Sequence, residues 1–225
     1  MYKRQLLEEA YEAAEAIDND DPVLLKEELG DVLMQVVFHA DIESDAGRFT
    51  MDDVCDGVVK KLLFRHPHVF GDGHEESPES VLVSWEQLKR REKGQNTVAD
   101  SMDSVARSLP SLWRAEKLQK KAAAAGFEWP DVQGALDKLE EEVAELRRAV
   151  ENGGDVPDEL GDVLFAAVKV GRFCGCDPED AVNGTCEKFI HRFRAVEEGA
   201  AVRGREVSQL SLEEMTALWD EAKRS

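Results

Sequence analysis

The hexapeptide ELGDVL occurs at residues 28–33 and again at residues 159–164. Each copy follows an amphipathic stretch that carries the pattern Glu-Glu-x-x-Glu: Glu8, Glu9 and Glu12 before the first copy, and Glu141, Glu142 and Glu145 before the second. Each copy also precedes a Lys-x-x-x-Arg pair, Lys61/Arg65 in the first case and Lys188/Arg192 in the second. Three blocks that recur in the same order indicate an internal repeat of a whole supersecondary unit.

Apolar residues return at intervals of three and four along most of the chain, which predicts an all-α protein made of two related helical halves. The predicted helices span residues 3–18, 22–45, 50–65, 78–93, 105–125, 131–152, 156–174, 178–203 and 211–223. We predict a first domain at residues 1–95 and a second at 96–225, with the linker in residues 93–104. Because the first acidic stretch starts a few residues after Met1, we expect an N-terminally shortened first repeat and a catalytic second half.

The charge balance limits the partners that this chain is expected to bind. It has 28 Lys and Arg against 48 Asp and Glu, a net charge of −20, which disfavours nucleic acids and anionic membranes. It has no apolar run of about 18 residues and no signal-peptide core, so we expect a soluble, cytoplasmic protein. Its four cysteines lack the spacing of a zinc site, and we expect reduced thiols with Cys55 and Cys186 buried.

The paired acidic motifs predict a metal site. Residues three apart share a helix face, so Glu142 and Glu145 project together from one helix, as do Glu159 and Asp162 from the next. The short connection makes these helices antiparallel neighbours, which would bring four carboxylates into one groove. An all-oxygen ligand set suits Mg²⁺, with Mn²⁺ as a substitute, and an open Mg²⁺ site points to phosphate chemistry. A second predicted set is Glu9, Glu12, Glu28 and Asp31 with Lys61 and Arg65. A solvated acidic face is the alternative.

Two further features accompany the acidic motifs. Gly30 and Gly161 stand inside predicted helices, where glycine costs about 1 kcal/mol relative to alanine, so we expect close helix packing at both positions. Lys188 and Arg192, one turn apart, form a cationic pair suited to a polyphosphate. Trp219 in the last helix either stacks on a base or packs against its neighbours, and the sequence leaves both roles open.

These motifs resemble those of the MazG nucleoside triphosphate pyrophosphohydrolases, in the all-α NTP pyrophosphatase superfamily. The resemblance covers nearly the whole chain and includes GRF, RHPHVF, WEQLK, SLPSLWRAEKLQKKAAAAGFEW and EKFIHRFRAVE. It implies Mg²⁺-dependent hydrolysis of NTP or dNTP to the monophosphate and diphosphate, with broad house-cleaning specificity. It also implies an intertwined homodimer built as a helix bundle.

The resemblance carries roles to individual residues. It implies metal ligation by Glu142, Glu145, Glu159 and Asp162, and water orientation by Glu141 and Asp158. It implies phosphate contacts for Lys138, Lys188 and Arg192, and positions near the nucleotide for Lys89, Trp219 and Lys223. The chain departs from the family at Asp155 and Asp158, where Lys and Glu are frequent, and at Lys169, where Asn is frequent. These departures bear on base contacts and substrate preference.

Two alternatives remain open at this stage. One is a pyrimidine-selective enzyme similar to dUTPases and dCTPases, which would hydrolyse one base class only. The other is a non-catalytic helical regulatory or binding module that keeps the acidic fold. The second acidic set is complete, which favours an enzyme over this module.

Overall fold

The computed structural model describes residues 2–70 and 94–224, apart from the side chains of Pro67 and His68. All regular structure in these ranges is helical, and the chain divides into two compact units, residues 1–94 and 95–225. The predicted helix at 78–93 lies outside the described residues. None of the described helices combines the length and apolar character needed to cross a membrane.

The first unit is built on a helical hairpin. Helix α1 spans Tyr2–Asp18, α2 spans Pro22–Asp45, α3 spans Met51–Arg65 and the short α4 spans Pro67–Phe70. Asp21 ends the turn between α1 and α2, because its carboxylate accepts hydrogen bonds from the backbone N–H groups of Val23 and Leu24, both at 3.0 Å. Pro22 occupies the first turn of α2, where a missing N–H costs nothing.

The second unit contains a matching hairpin. The helices are α5 (Val98–Asp103), α6 (Ser111–Ala124), α7 (Val132–Asn152), α8 (Val156–Phe173), α9 (Pro178–Val202) and α10 (Leu212–Ala222), with a 3₁₀ turn at Val207–Gln209. Helices α7 and α8 form the hairpin and make the most extensive contact between elements of this unit. Gly153 ends α7 with a φ of 71°, a left-handed conformation that glycine adopts without strain. The Asp155 side chain then caps α8.

Helices α9 and α10 pack through the core cluster of this unit. Its buried members are Val196, Ala200, Leu210 and Leu218. Gly199 permits this close approach, because a Cβ atom there would clash with the methyl carbons of Leu218. The cluster is small and apolar, and its α9 members, Val196 and Ala200, follow the Lys188/Arg192 turn in the sequence.

The prediction for residues 93–125 was wrong in its boundaries. Residues 98–103 form helix α5 inside the predicted linker, because Thr97 and Asp100 make a reciprocal capping box at its start. The predicted helix at 105–125 starts only at Ser111, directly after Pro110. A proline restrains the residue before it to extended conformations, which separates α5 from α6.

The predicted burial of Cys55 and Cys186 was also wrong. Both thiols are exposed, as are Cys174 and Cys176, and none forms a disulfide. The two residues lie on faces of α3 and α9 that no other described part of their own unit covers. Helical periodicity identified most of the longer helices that the structure describes, but it did not identify which of their faces pack within the chain.

A buried ion cluster ties the loop between α6 and α7 to helix α8. Lys169, only 6% exposed, places its ammonium 2.7 Å from the Glu128 carboxylate, and Arg172 pairs with the same carboxylate. Burial lowers the pKa of Lys169. The Lys169 ammonium also lies 5.2 Å from the centroid of the Trp129 ring. Glu128 therefore holds two cations and the segment that leads into α7.

We predict that Glu128→Gln strongly destabilises the second unit, since it leaves two poorly solvated cations without a counter-charge. Breaking a buried ion pair from one side costs roughly 3–5 kcal/mol. Urea unfolding followed by circular dichroism measures this loss. Glu8→Gln is the matched control, because it removes a carboxylate from the exposed Arg4–Glu8 pair and should leave the transition unchanged. Equal transitions for the two variants would contradict the assigned role of Glu128.

Candidate functional site

Three carboxylates converge where α7 packs against α8. Oxygen atoms of Glu142, Glu145 and Glu159 all lie within 4.8 Å of one another. Glu142 is buried, and the other two are half-buried. The spacing of three residues on α7 and the antiparallel hairpin explain this convergence, as the sequence predicted. Asp162, the fourth predicted ligand, is exposed and lies outside this group of three, although its charge acts on Glu159.

The carboxylates of this cluster repel one another. The pKa of Glu159 is raised, chiefly by burial and further by the charges of its neighbours: Glu145, Asp162, Asp158 and Glu142. Each of these effects disfavours the charged form of Glu159. The cluster therefore has the all-oxygen chemistry and the surplus negative charge that a hard divalent cation would neutralise.

Lys138 lies at the edge of the cluster. Its ammonium is 2.7 Å from a Glu142 oxygen and 2.9 Å from a Glu141 oxygen, one turn along α7. These two hydrogen bonds raise the pKa of Lys138 well above its usual range. The predicted phosphate-binding lysine and one of the two predicted water-orienting carboxylates are thus joined in the structure.

Asp158, the other predicted water-orienting residue, lies beside Glu159 in the first turn of α8. Its backbone N–H donates to the Asp155 carboxylate at 3.2 Å, so the cap fixes its position. Its own side chain is exposed and accepts no hydrogen bond from the described residues. Its carboxylate therefore remains available to a solvent molecule next to the cluster.

The first unit contains a similar cluster with a different neighbour. Oxygen atoms of Glu9, Glu28 and Asp31 lie within 4.8 Å of one another, and Glu12 lies outside this group but acts on Glu9. Gln5 occupies the position four residues before Glu9 that Lys138 occupies before Glu142. The sequence-based prediction overlooked this difference, although the offset within the repeat reveals it.

Repulsion is also evident in the first cluster. The pKa of Glu9 is raised by burial and by Glu12 and Asp31, whereas a hydrogen bond with Gln5 lowers it. The pKa of Glu28 is raised by burial and by its acidic neighbours. A cavity of about 470 Å³ opens on the same helix and is lined by Arg4, Gln5, Glu8, Glu9 and Glu12.

Apart from Lys138, the predicted substrate-binding cations that the structure describes make no ion pair with the clustered carboxylates. Arg192 lies over the Trp219 ring, 5.8 Å from its centroid, and Phe189 packs on the same ring at 5.0 Å. Lys223 lies 3.4 Å from Asp220. Lys188 is exposed on α9, Lys61 and Arg65 lie on α3, and Lys89 lies outside the described residues.

The predicted close packing at Gly30 and Gly161 was wrong for contacts among the described residues. A Cβ atom added at either position would meet no described atom within 4 Å. Exposed apolar residues flank both glycines: Leu29 and Leu33 in α2, and Leu160 and Leu164 in α8. Each hairpin therefore carries a glycine on an open, apolar face.

Comparison with known proteins gives consistent matches along the chain. A profile of the MazG nucleotide pyrophosphohydrolase domain matches residues 1–70 and 131–196, which contain both carboxylate clusters. The chain is 42% identical over 222 residues to the nucleoside triphosphate pyrophosphohydrolase of Escherichia coli (strain K12), an alignment that spans 97% of the chain and 84% of the relative.

Two further relatives extend this result. Identity to the nucleoside triphosphate pyrophosphohydrolase/pyrophosphatase MazG of Thermotoga maritima is 40% over 221 residues, 98% of this chain and 84% of that protein. Identity to the uncharacterized protein YabN of Bacillus subtilis is 46% over 227 residues, 99% of this chain and 46% of that protein. The similarity thus includes both acidic hairpins and the helices that follow them.

We predict that Glu159→Gln stabilises the metal-free protein at neutral pH. Between its ordinary value of 4.5 and its raised folded-state pKa, Glu159 binds more protons in the folded state than in the unfolded chain. The free energy of unfolding therefore falls as pH rises through this window, and the variant lacks that loss. Thermal melting of both proteins in chelator, from acidic to neutral pH, measures the difference.

The control is Glu214→Gln, which should show the opposite sign. Hydrogen bonds from Arg205 and the Ser211 backbone lower the pKa of Glu214, so its contribution is present above the unfolded-state pKa and is lost as pH falls. This variant should melt below the wild type at neutral pH. A Glu159→Gln protein that also melts below the wild type would contradict the repulsion inferred for the cluster.

Proposed function

Since the chain belongs to the MazG nucleotide pyrophosphohydrolase family, we propose that it hydrolyses nucleoside triphosphates to monophosphates and diphosphate with Mg²⁺, or Mn²⁺ as a substitute. Water attacks the α phosphorus, and diphosphate leaves. The observation that carries this proposal is the convergence of Glu142, Glu145 and Glu159 in the second unit. The proposed metal ligands are these three residues together with Asp162.

The donor set fits a hard divalent cation. It consists of carboxylate oxygens, and the pKa of Glu159 is raised chiefly by burial and further by the charges of the neighbouring carboxylates. A bound Mg²⁺ would offset phosphate charge and lower the pKa of a coordinated water. Glu142 gives the site a buried edge, which limits the access of bulk water to that side.

Asp158 is the proposed proton acceptor from the attacking water. It neighbours Glu159, and its side chain accepts no hydrogen bond from the described residues. Glu141 is the second candidate, but its Oε1 atom forms an ion pair with the Lys138 ammonium at 2.9 Å. A general base must be within hydrogen-bond reach of the water and free to take its proton, and Asp158 meets the second condition better.

Binding of the triphosphate and the nucleoside is assigned to the cations and the aromatic residue of the second unit, with Lys89 as an additional proposed contact. Lys138, Lys188 and Arg192 would hold phosphate oxygens, since each can donate charge-assisted hydrogen bonds. Trp219, with Lys223 one turn further on, would lie near the base. Stacking on an aromatic ring tolerates every base, which supports broad rather than pyrimidine-selective hydrolysis.

The first unit is assigned a weakly active, structural or regulatory role. It has a carboxylate cluster but a neutral Gln5 where the second unit has Lys138. A cluster without that cation has one phosphate-binding group fewer. A cytoplasmic location completes the proposal, because NTP pools are found there and the described thiols are unpaired, as is usual in a reducing compartment.

We predict that the purified protein and Mg²⁺ convert several NTPs and dNTPs to monophosphate and diphosphate. Separation of the products by ion-exchange chromatography, with a diphosphate-specific assay, measures this directly. Release of orthophosphate with a nucleoside diphosphate would overturn the proposed bond cleavage. Hydrolysis of a single pyrimidine nucleotide would favour the selective alternative, and no hydrolysis of any substrate would favour the non-catalytic module.

Variants that replace glutamate with glutamine test which of the two units carries the catalytic activity. Glu142→Gln combined with Glu159→Gln should lower turnover by more than about 100-fold, since changes even outside the ligand shell of metal sites cost roughly 10–100-fold. The matched pair in the first unit, Glu9→Gln with Glu28→Gln, should retain most of the activity. A larger loss from the first-unit pair would move catalysis to that unit.

We also propose a homodimer that covers the apolar faces beside the acidic hairpins. On α8 the exposed apolar residues are Leu160, Leu164 and Phe165, and those of α2 include Leu29, Leu33, Met34 and Val37. Apolar patches of this kind on helix faces mark protein interfaces. The glycines on the same faces leave room for a partner helix to approach.

We predict that light scattering after gel filtration gives twice the mass of one chain, and that Leu164→Asp halves it. A charge placed within an apolar interface is left without a counter-charge there, which opposes association. Val202→Asp is the control, because Val202 is 89% exposed and lies at the end of α9, away from the α8 face. A wild-type protein of monomeric mass would refute the dimer.

A further inference from the structure

The ammonium group of Lys138 forms ion pairs with carboxylates at the proposed catalytic cluster. Its ammonium lies 2.7 Å from Oε1 of Glu142, the most buried carboxylate of the three, and 2.9 Å from Oε1 of Glu141. The Glu142 side chain is only 9% exposed, so solvent cannot fully compensate its charge. Lys138 is therefore the counter-ion of Glu142 in the structure.

The same carboxylate is needed by the proposed metal site. Glu142 shares the cluster with Glu145 and Glu159, whose oxygens lie within 4.8 Å of one another. The Lys138 ammonium is a compact charge on a flexible stem, and it can leave one acceptor for another by side-chain rotation alone. Its own 37% exposure allows that movement.

We propose that Lys138 is an exchangeable internal counter-ion, which leaves Glu142 when a divalent cation binds and then donates to the phosphates of the substrate. This role rests on the proposed function and adds a coupling to it. Metal binding frees the lysine for phosphate, and phosphate draws the lysine away from the metal ligand. Each ligand therefore raises the affinity of the other by the same factor, as linkage requires.

The internal repeat supplies a natural comparison. At the position of Lys138 the first unit has Gln5, which interacts with Glu9 but carries no charge. A glutamine cannot neutralise a carboxylate or compete with a divalent cation as an ammonium does. The first unit thus has the carboxylate cluster but no lysine that could act as an exchangeable counter-ion.

Mn²⁺ binding tests the exchange directly. We would count free Mn²⁺ by electron paramagnetic resonance in a Glu9→Gln/Glu28→Gln background, which leaves the second cluster as the one under study. Lys138→Gln should tighten Mn²⁺ binding about fivefold or more without phosphate, the lower end of typical coupling between sites. Inorganic diphosphate should increase Mn²⁺ affinity in the protein that retains Lys138 and much less in the Lys138→Gln variant, after correction for Mn²⁺–diphosphate complexes in solution.

Lys188→Gln is the matched control, since Lys188 is a proposed phosphate ligand with no ion pair to the cluster in the described residues. It should weaken the diphosphate effect while leaving Mn²⁺ affinity without diphosphate unchanged. A second readout is the rate of Lys138 acetylation by mass spectrometry, which should rise when Mn²⁺ is added. Lys223, paired with Asp220, serves as the internal reference.

The outcomes separate the two proposals. No Mn²⁺ binding by the second cluster would refute the proposed metal site, and with it this inference. Mn²⁺ binding that is equal in the wild-type and Lys138→Gln proteins, with unchanged Lys138 acetylation, would overturn the exchange and leave the metal site standing. Tighter binding in Lys138→Gln together with the same diphosphate effect would also overturn it, because simple charge repulsion would then account for the difference.

Discussion

Repulsion between carboxylates held together by a helical hairpin is the constraint on which this structure depends. The turn through Gly153 and the cap at Asp155 return α8 along α7, and the three-residue spacing on α7 then brings Glu142 and Glu145 to Glu159. Burial and the charges of the neighbouring carboxylates raise the pKa of Glu159. A fold that served stability alone would separate them, so the rest of the unit must hold the hairpin in place.

The elements that do so lie away from the cluster. The Trp113 indole donates to Asp177 at 3.0 Å, and the Gln119 side chain donates to the Phe165 carbonyl at 2.7 Å, which fixes α6 against its neighbours. Glu128 fixes the end of the same segment through Lys169. Each of these contacts joins sequence-distant residues by a directional polar bond. They specify where the helices lie, which a small apolar core would specify less sharply.

The sequence predicted the hairpins because their signals are local. Capping residues, the position of Pro22 and the Glu-x-x-Glu spacing depend on neighbours within one or two turns, and helix geometry translates them directly into position. The boundary at residues 105–111 was missed because a short capped helix and Pro110 interrupt an otherwise helical pattern. Burial of Cys55 and packing at Gly161 depend on which faces meet, and periodicity alone does not encode that.

The carboxylate clusters were predictable from the sequence to a similar extent. The carboxylates were identified because the repeat presents the same set twice, whereas the Lys138–Glu142 pair follows from an i, i+4 spacing that was present in the sequence but was assigned only to phosphate. The Glu128–Lys169 pair spans a loop and two helices, so no local pattern reveals it. The distinction is between contacts within one helix, which sequence spacing defines, and contacts between helices, which require the fold.

The two units show how one hairpin accommodates different chemistry. Ten residues after the start of ELGDVL the first unit has Phe38, whose ring packs on Tyr2 at 5.0 Å, and the second has Lys169, which pairs with Glu128. The first unit has Gln5 four residues before Glu9, and the second unit has Lys138 four residues before Glu142. At both positions the second unit has a cation on its α7–α8 hairpin where the first unit has an uncharged residue. One cation is buried and holds a loop, and the other is partly exposed and contacts a carboxylate, so burial separates a structural cation from one that can move.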